Sequence, residues 1–379
     1  MTTTKNNEQK KLNVPNLRFP KFEGEWKEER LADIADLYKG TGISKDQLSD
    51  DGEPCILYGE LYTKYKSETI REVISKTNID NTKLVKSKAN DVIIPCSGET
   101  AEDIATARCV LNGNILLGGD LNIIRLHGYD GAFMSYQLTG RRKYDIAKVA
   151  QGVSVVHLYG EHLKGVKTIN PCLEEQKKIA SLLALLDERI TTQNKIIDKL
   201  KSLIKGISKQ LLINNQNWRT VRIGELLRIG NGKDYKHLGI GKIPVYGTGG
   251  QMLLVNDYLY DGESVCIGRK GTIDTPMFLK GKFWTVDTLF YTYDFKDVLP
   301  KFCYYLFLQI NWKLYNEGTG VPSLSKSTIE NIKVKIPSIE QQHNICSVLD
   351  CYEHKTKSEE QILELYLSEK QYLLRQMFI

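Results

Sequence analysis

Two stretches of this sequence, residues 172–213 and 338–379, carry apolar residues at the spacing of a long coiled-coil helix. In the first stretch the apolar positions alternate by four and three residues from Ile179 to Leu211. This spacing is typical of a helix that buries a narrow stripe against another helix. At about 1.5 Å per residue, a helix of about 40 residues is about 60 Å long. The sequence therefore predicts one long helix in each stretch.

The second stretch keeps the register of the first, although Thr356, Glu359 and Lys370 interrupt its stripe where Gln193 alone interrupts the other. Neither stripe can remain in water, so we expect the two helices to pair as an antiparallel coiled coil with pseudo-two-fold symmetry. The alternative is that each helix packs on the core of its own domain. The predicted seam consists of Ile179, Leu183, Leu186, Ile190, Ile197, Leu200, Ile204, Ile207, Leu211, Ile345, Leu349, Tyr352, Leu363, Tyr366 and Leu373.

The sequence before each long helix is also duplicated. The matching positions, in the same order in both copies, are Trp26 with Trp218, Gly40 with Gly232, Asp120 with Asp287, Gly152 with Gly318, Val155 with Val321, Leu158 with Leu324, Pro171 with Pro337, Glu174 with Glu340 and Gln176 with Gln342. Matches at this separation indicate a duplicated domain-plus-helix unit and not an array of short repeats. The first copy is longer between its Trp and its Pro, so the two domains are expected to share a frame and to differ in detail.

Each globular part shows short β-like runs bounded by Gly, Asp or Asn, mixed with helical periodicity, which predicts an α+β fold. The predicted strands lie at 91–96, 113–118, 264–268 and 289–293, and the helical patterns lie at 29–38 and 299–315. The predicted organisation is a disordered tail at 1–14, a first domain at 15–171, a first long helix at 172–213, a second domain at 214–337 and a second long helix at 338–379.

The composition is that of an ordinary globular protein and sets few limits on function. Lys and Arg total 52 against 46 for Asp and Glu, a net charge of +6 that permits nucleic-acid binding without requiring it. No apolar run approaches the roughly 20 residues of a membrane span, and the N-terminus has no apolar signal segment, so we expect a cytoplasmic protein. The eight cysteines form no C-x-x-C pair and do not cluster with the six histidines, so no metal site is predicted.

The motifs of common enzyme classes do not occur in this sequence. It contains no phosphate-binding G-x-x-x-x-G-K-[ST], no H-E-x-x-H and no G-x-S-x-G, and its glycine-rich YGTGG at 246–250 lacks the spacing of a dinucleotide fold. We therefore predict no catalytic residues and no cofactor on this chain.

Two similar modules on a rigid spacer suit a protein that contacts two segments of an extended polymer, and duplex DNA presents successive major grooves about every 34 Å. Loops that mix Gly, basic and hydroxyl residues fit contacts to phosphates and base edges. The candidate DNA-binding residues are Lys64, Lys66, Ser97 and Gly98 in the first copy, and Tyr246, Thr248, Arg269, Lys270, Thr272, Ser323 and Lys326 in the second.

The chain resembles the specificity (S) subunits of type I restriction–modification systems. The resemblance spans nearly the whole chain and rests on NVPNLRFPKFEGEW at 13–26, on the paired helix starts at 171–176 and 337–342, and on YGTGG…GRKGTI within 246–273. It implies two target recognition domains that each read one half of a split DNA sequence, and a coiled coil that measures the spacer between them.

The resemblance further implies that the long helices and their seam residues dock two modification (methyltransferase) subunits, which bring S-adenosylmethionine, and that restriction subunits join through these. Because the two domains differ, an asymmetric double-stranded DNA target is expected. Two other classes of function stay open on the sequence alone. One is a coiled-coil scaffold that presents two protein-binding modules, and the other is an enzyme with an unfamiliar site, such as a nuclease or a single-chain methyltransferase.

Overall fold

The computed structural model describes residues 12–80, 82–152, 155–213 and 218–379. Most of the expected disordered tail, and the expected end of the first long helix at 214–217, lie outside these residues. The chain divides into two compact units, residues 1–194 with 362–379 and residues 195–361. Each unit contains one mixed α/β domain and a part of each long helix. No helix in the described part of the chain is both long and apolar enough to cross a membrane.

The first domain is built from short strands and helices. In chain order these are β1 (Lys27–Arg30), α1 (Leu31–Ile34), β2 (Ala35–Lys39), a 3-10 turn (Lys45–Gln47), β3 (Leu48–Ser49), β4 (Glu53–Ile56), α2 (Glu60–Thr63), β5 (Thr69–Ile70), β6 (Ser75–Thr77), β7 (Asp91–Pro95), β8 (Ser97–Gly98), α3 (Ala101–Ile104), β9 (Arg108–Val110), β10 (Leu116–Leu117), β11 (Leu121–Leu126), α4 (Gly131–Thr139), α5 (Lys143–Val149), β12 (Val156–His157), α6 (Gly160–Lys164) and β13 (Lys167–Asn170). A five-stranded sheet in the order β2-β11-β7-β9-β5 forms its centre beside a four-stranded sheet, β10-β4-β6-β3, while β1 pairs with β13 and β8 with β12.

The first long helix, α7 (Leu173–Ile213), follows, and then the second domain. Its elements are β14 (Arg219–Arg222), α8 (Ile223–Leu226), β15 (Arg228–Asn231), β16 (Ile240–Gly247), β17 (Gly250–Val255), β18 (Tyr260–Gly268), β19 (Met277–Thr285), β20 (Leu289–Tyr293), α9 (Pro300–Gln309), a 3-10 turn (Trp312–Tyr315), α10 (Lys326–Asn331) and β21 (Lys333–Ile336). One six-stranded sheet has the order β15-β20-β18-β19-β16-β17, and β14 pairs with β21. The second long helix, α11 (Ile339–Gln376), ends the fold.

The structure confirms the strands expected at 91–96, 264–268 and 289–293, and α9 with the following 3-10 turn occupies the helical pattern at 299–315. At 113–118 only Leu116–Leu117 is a strand. The helix expected at 29–38 is wrong: a four-residue helix lies there between two strands. Buried Leu31 and Ile34 produce the helical spacing, but the flanking backbone pairs with β13 and β11 instead.

The duplicated frame of the two domains has a physical basis in a short antiparallel ladder and a buried tryptophan. Strand β1 pairs with β13, which leads into α7, and β14 pairs with β21, which leads into α11. Trp26 precedes β1 and packs edge-on against Phe133 of α4, with ring centroids 5.8 Å apart. Trp218 precedes β14 and packs against Phe302 of α9 in the same way, at 6.1 Å. Each tryptophan therefore joins the entry strand to the domain's main helix.

One of the sequence matches is shifted by a residue. The amide of Gly40 donates to the carbonyl of Leu121, and the amide of Gly232 donates to that of Leu289. Strand pairing thus makes Asp120 equivalent to Thr288, and the expected match of Asp120 with Asp287 is wrong. The first domain has extra residues before this strand, so no nearby sequence match fixes the alignment there.

The repeated helix start is explained by a buried glutamine. The side-chain amide of Gln176 donates to the carbonyl of Pro171 at 2.8 Å, and its Oε1 accepts from the amide of Asp130 at 2.9 Å. Gln342 likewise donates to the carbonyl of Pro337 at 3.1 Å and accepts from the amide of Leu299 at 2.8 Å. Asp130 and Leu299 are the N-cap residues of α4 and α9. Each glutamine therefore ties a long helix to the start of its domain's main helix.

Within each unit the two long helices run antiparallel. In the unit of residues 1–194 with 362–379, Ile179 and Leu183 belong to the same buried cluster as Met377 and Phe378. Further along α7, Asp187 Oδ1 lies 2.6 Å from Lys370 Nζ. This confirms the expected antiparallel pairing for that unit.

In the unit of residues 195–361, Lys201 Nζ lies 2.8 Å from Glu360 Oε1. Leu211 and Leu212, near the end of α7, belong to the same cluster as Leu349 near the start of α11. All the predicted seam residues are buried or half-buried. The alternative packing is also partly realised, because these clusters include core residues of the adjoining domain.

We expect Gln342→Ala to destabilise the protein by about 2–3 kcal/mol, because Gln342 is fully buried and its loss leaves the amide of Leu299 and two carbonyls without this partner. Chemical denaturation of the purified chain measures this. Gln341→Ala, an exposed neighbour in the same helical turn, is the matched control and should change the free energy of unfolding by no more than about 0.5 kcal/mol. Equal effects of the two substitutions would contradict the tether.

Candidate nucleic-acid interface

In the second domain, two loops that are distant in sequence are joined by backbone hydrogen bonds. Lys270 and Ser323 form an antiparallel bridge. The amide of Gly271 donates to the carbonyl of Pro322, and the amide of Leu324 donates to that of Arg269, both at 2.9 Å. The two candidate segments, around 266–275 and 321–328, therefore form one surface.

A third candidate segment, the turn between β16 and β17, borders this surface. The hydroxyl of Thr248 lies 3.7 Å from where a Cβ on Gly271 would stand. Tyr246 is half-buried, and its carbonyl accepts from the amide of Val286 at 3.0 Å. Gly271 has φ +89°, a conformation that side chains strain, so glycine is required at this crossing of the segments.

The cations of this surface project into solvent. Arg269 and Lys270 are exposed, and among the residues that the structure describes neither is ion-paired. The guanidinium of Arg269 lies 6.0 Å from the ring of Phe290. Thr272 is exposed beside them, whereas half-buried Lys326 begins α10, one turn away. Unpaired cations on backbone-braced loops are suited to phosphate and base-edge contacts.

The first domain has the same loop frame. Ser97 and Gly98 pair with His157 and Val156. The amide of Leu158 donates to the carbonyl of Cys96 at 2.8 Å, as that of Leu324 does to Arg269. Ser97 and Gly98 are thus the counterparts of Lys270 and Gly271.

The side chains on the two frames differ. Cys96 and Ser97 stand where the second domain has Arg269 and Lys270, so these two positions carry no cation. Ser97 Oγ lies 3.2 Å from His157 Nδ1. Instead, Ser97 and Gly98 line a pocket of about 780 Å³. The first domain therefore offers a concave surface where the second offers exposed cations.

The candidate lysines of the first domain are placed differently from each other. Lys66 lines the pocket, and its Nζ donates to the carbonyl of Tyr62 at 2.9 Å. Lys64 Nζ instead donates to Glu60 Oε1 at 2.7 Å and to Ser75 Oγ at 2.6 Å. The structure therefore brings Lys66 to the candidate surface and holds Lys64 in an internal ion pair.

Sequence reasoning missed three residues at these surfaces. Arg108 lines the first domain's pocket although it is largely buried, and burial lowers the pKa of its guanidinium against the opposing pull of Glu68 and Asp187. Val155 and Val321 occupy the same position on the two loop frames, and Val321 is 63% exposed. The duplicated sequence showed the match of the two valines, but only coordinates show that both are exposed.

A comparison with protein-family models identifies the family of the chain. A model described as the type I restriction modification DNA specificity domain matches the chain twice, at residues 23–202 and 215–365. The chain belongs to this specificity family.

Curated specificity subunits of type I restriction enzymes resemble the chain, one of them over most of its length. The MjaVIII specificity subunit of Methanocaldococcus jannaschii is 24% identical over 404 residues, which cover 91% of this chain and 90% of that protein. The EcoprrI specificity subunit of Escherichia coli is 25% identical over 116 residues, 30% of this chain and 29% of that one.

Solved structures show the same specificity-subunit fold. The crystal structure of the type I S subunit from M. genitalium has a TM-score of 0.67 at 17% identity, covering 97% of this chain and 99% of that one. A chain from a study of complex assembly and conformational transition of the type I R-M system has a TM-score of 0.55 at 14% identity, covering 93% and 97%. Among the described residues of this chain, no group of three or more His, Cys, Asp or Glu side chains is arranged to hold a metal ion.

We expect Arg269→Ala with Lys270→Ala to weaken DNA binding and to lower the slope of log K against log salt by about 2, because two unpaired cations are removed. Binding titrations at several salt concentrations measure this. The control is Lys280→Ala with Glu263→Ala, an ion pair of 3.0 Å on β18 and β19 of the same domain. A slope that is unchanged in the loop variant would contradict the assignment.

Proposed function

We propose that this chain is the DNA-reading subunit of a type I restriction–modification complex and that it recognises an asymmetric two-part target. The observation that carries the proposal is the pair of loop frames, which share their backbone hydrogen bonds and differ in their side chains. Shared frames present equivalent surfaces, and different side chains on them select different bases. Each domain accordingly reads one half-site, the second with Arg269 and Lys270 and the first with the pocket that Ser97 and Gly98 line.

The chain acts in this proposal without chemistry of its own. Two modification subunits bind it and supply methyl transfer with S-adenosylmethionine, and restriction subunits join the larger assembly. Support comes from the family, whose curated members are named specificity subunits of type I restriction enzymes. The proposal further assigns to the long helices both the spacing of the half-sites and the docking of the modification subunits.

We do not assign docking to the seam itself, because helix pairing buries or half-buries the seam residues. Several residues directly after a seam position contact the adjoining domain. Asp187 of α7 accepts hydrogen bonds from the first domain, and Asp350 of α11 accepts one from Tyr305 of the second at 2.6 Å. Leu212 and Cys346 are buried in the second domain's core cluster. This flank is therefore occupied where the helices meet the domains.

The residue before each seam position lies on the opposite flank, and since the helices are antiparallel this flank is on the same side of both. Here the side chains are exposed and many are apolar. The exposed apolar residues of this flank are Leu185, Ile362, Leu365 and Tyr372 in the first unit, and Ile196, Leu203 and Val348 in the second. We call them the apolar flank. Leu365 is 69% exposed. The apolar flank is solvent-exposed among the described residues, and it is the surface that we assign to the modification subunits.

We expect Leu185→Glu with Leu365→Glu to prevent assembly with the modification subunits while leaving the free chain folded, because both side chains are solvent-exposed. Co-purification and thermal unfolding of the chain measure the two effects. Ser181→Glu with Ser368→Glu, exposed on the same helices two residues after a seam position, is the matched control. Assembly lost in both variants, or in neither, would contradict the apolar flank.

Inserting one heptad after Asn194 and one after Gln361 should lengthen the preferred spacer by about three base pairs, because seven residues add about 10 Å and each base pair about 3.4 Å. Mapping methylated adenines in DNA from cells that carry the chain with its partner subunits measures the target. The same mapping with the unmodified chain tests the proposed function directly, since sequence-specific methylation must occur only in cells that carry the chain. An unaltered spacer in the inserted variant would exclude the helices as the measure.

A further inference from the structure

Lys370 occupies a seam position of α11 and is surrounded by charge. Its side chain is 13% exposed, and its Nζ lies 2.5 Å from Glu68 Oε2 and 2.6 Å from Asp187 Oδ1. Glu68 belongs to the first domain and Asp187 to α7. One ammonium group therefore connects the second long helix to the first long helix and to the domain, all within the unit of residues 1–194 with 362–379.

The Asp187 carboxylate that binds Lys370 has further hydrogen-bond partners. Asp187 Oδ2 accepts from Tyr136 Oη and from Ser67 Oγ, both at 2.7 Å. Nζ of Lys370 also lies 5.7 Å from the centre of the Tyr136 ring. Each group in the cluster has a specific partner, so the position of Nζ is set from several directions.

The lysine is charged in this site. Burial disfavours the ammonium form, but the carboxylates of Glu68 and Asp187 outweigh it and raise the pKa of Lys370. Burial and the neighbouring Asp187 also raise the pKa of the Tyr136 hydroxyl, which stays protonated and donates. The cluster is therefore a buried ion triad with a tyrosine donor.

The second unit contains a similar cluster with a different connection. Tyr305 Oη donates to Asp350 Oδ1 at 2.6 Å, and Lys301 Nζ lies 2.7 Å from Glu353 Oε2. Lys301 is on α9 of the domain, so this cluster joins α11 to the second domain only. The seam position that the duplicated sequence matches to Lys370 is Ile204, an apolar residue.

A buried ion triad adds little stability over apolar residues of similar volume, and its best-attested role is to select one register. Apolar seam residues are interchangeable when one helix slides along another by a heptad. Such a slip would move Nζ of Lys370 by about 10 Å and leave three buried charges without partners. Thr356, another polar seam residue, donates to the carbonyl of Tyr352 in its own helix, and Glu359 pairs with Lys355.

We propose that Lys370 is a positioning residue that sets the register of the two long helices and thereby the spacer length between the half-sites. The second part rests on the proposed function, whereas the register itself does not. The apolar seam residues supply the attraction between the two long helices, and Lys370 selects their alignment.

The test variant is Lys370→Met with Asp187→Asn and Glu68→Gln, which removes the triad without leaving a buried charge. A milder variant, Asp187→Asn alone, keeps the Lys370–Glu68 pair and breaks only the ionic link between the helices. The control is Lys201→Met with Glu360→Gln, an exposed ion pair between the same two helices.

The register is measured as a distance between spin labels on exposed Arg189 and Glu369, introduced as cysteines in the full-length chain. The exposed Cys172 and Cys351 are replaced by Ser throughout. We expect one narrow distance in the parent and control, a second population displaced by about 10 Å in the triple variant, and a smaller second population in Asp187→Asn. A single unchanged distance in the folded triple variant overturns the proposal. If the triple variant does not fold, an unchanged distance in Asp187→Asn overturns it.

The spacer is measured with the assembled complex on a DNA library of randomised spacer length. We expect the parent and control to methylate one spacer length and the triad variants to methylate at least two, with the parental fraction reduced several-fold. Absence of sequence-specific methylation by the parent would refute the proposed function and leave the spin-label result standing. A single sharp spacer in every variant, with a shifted label distance, would refute the link from register to spacer.

Discussion

The apolar stripe on the two long helices is the constraint on which the rest of the structure depends. A helix of this length gains most of its stability by burying one face, and neither domain is large enough to cover about 60 Å of helix. In each unit the seam is buried or half-buried against the other helix, and some residues just after it, such as Asp187 and Asp350, bond to the domain. On the remaining flank, Lys178 lies over the ring of Phe19 and Leu182 packs against the first unit's buried cluster. Leu185, Leu203 and Leu365 on this flank are exposed.

Much of this arrangement could be predicted from the sequence because it depends on periodicity and repetition. The long helices begin at Leu173 and Ile339, each within one residue of expectation, and antiparallel pairing follows from two stripes that both need cover. The duplicated positions Trp26 and Gln176 were detectable as matches. Their roles were not, since both depend on contacts with α4, which is distant in sequence.

The rest could not be predicted because local pattern and tertiary pairing disagree. Leu31 and Ile34 have helical spacing, yet strand pairing on both sides limits the helix to one turn. Lys64 looked like a free cation beside tyrosines, but Glu60 lies one helical turn before it and binds it. Lys370 looked like a defect in the seam, and only coordinates show Glu68 and Asp187 around it.

The two loop frames explain how such a chain can change what it reads without changing how it folds. The frames are held by backbone groups, such as the Lys270–Ser323 bridge and the bond from Leu324 to Arg269, which nearly any residue can make. Gly271 is constrained by its positive φ, but the side chains of its neighbours are not. The bonds of Gln176 and Gln342 that anchor the domains involve none of the loop residues. Substitution on the loops therefore alters the surface offered to DNA and leaves the anchoring of the long helices intact.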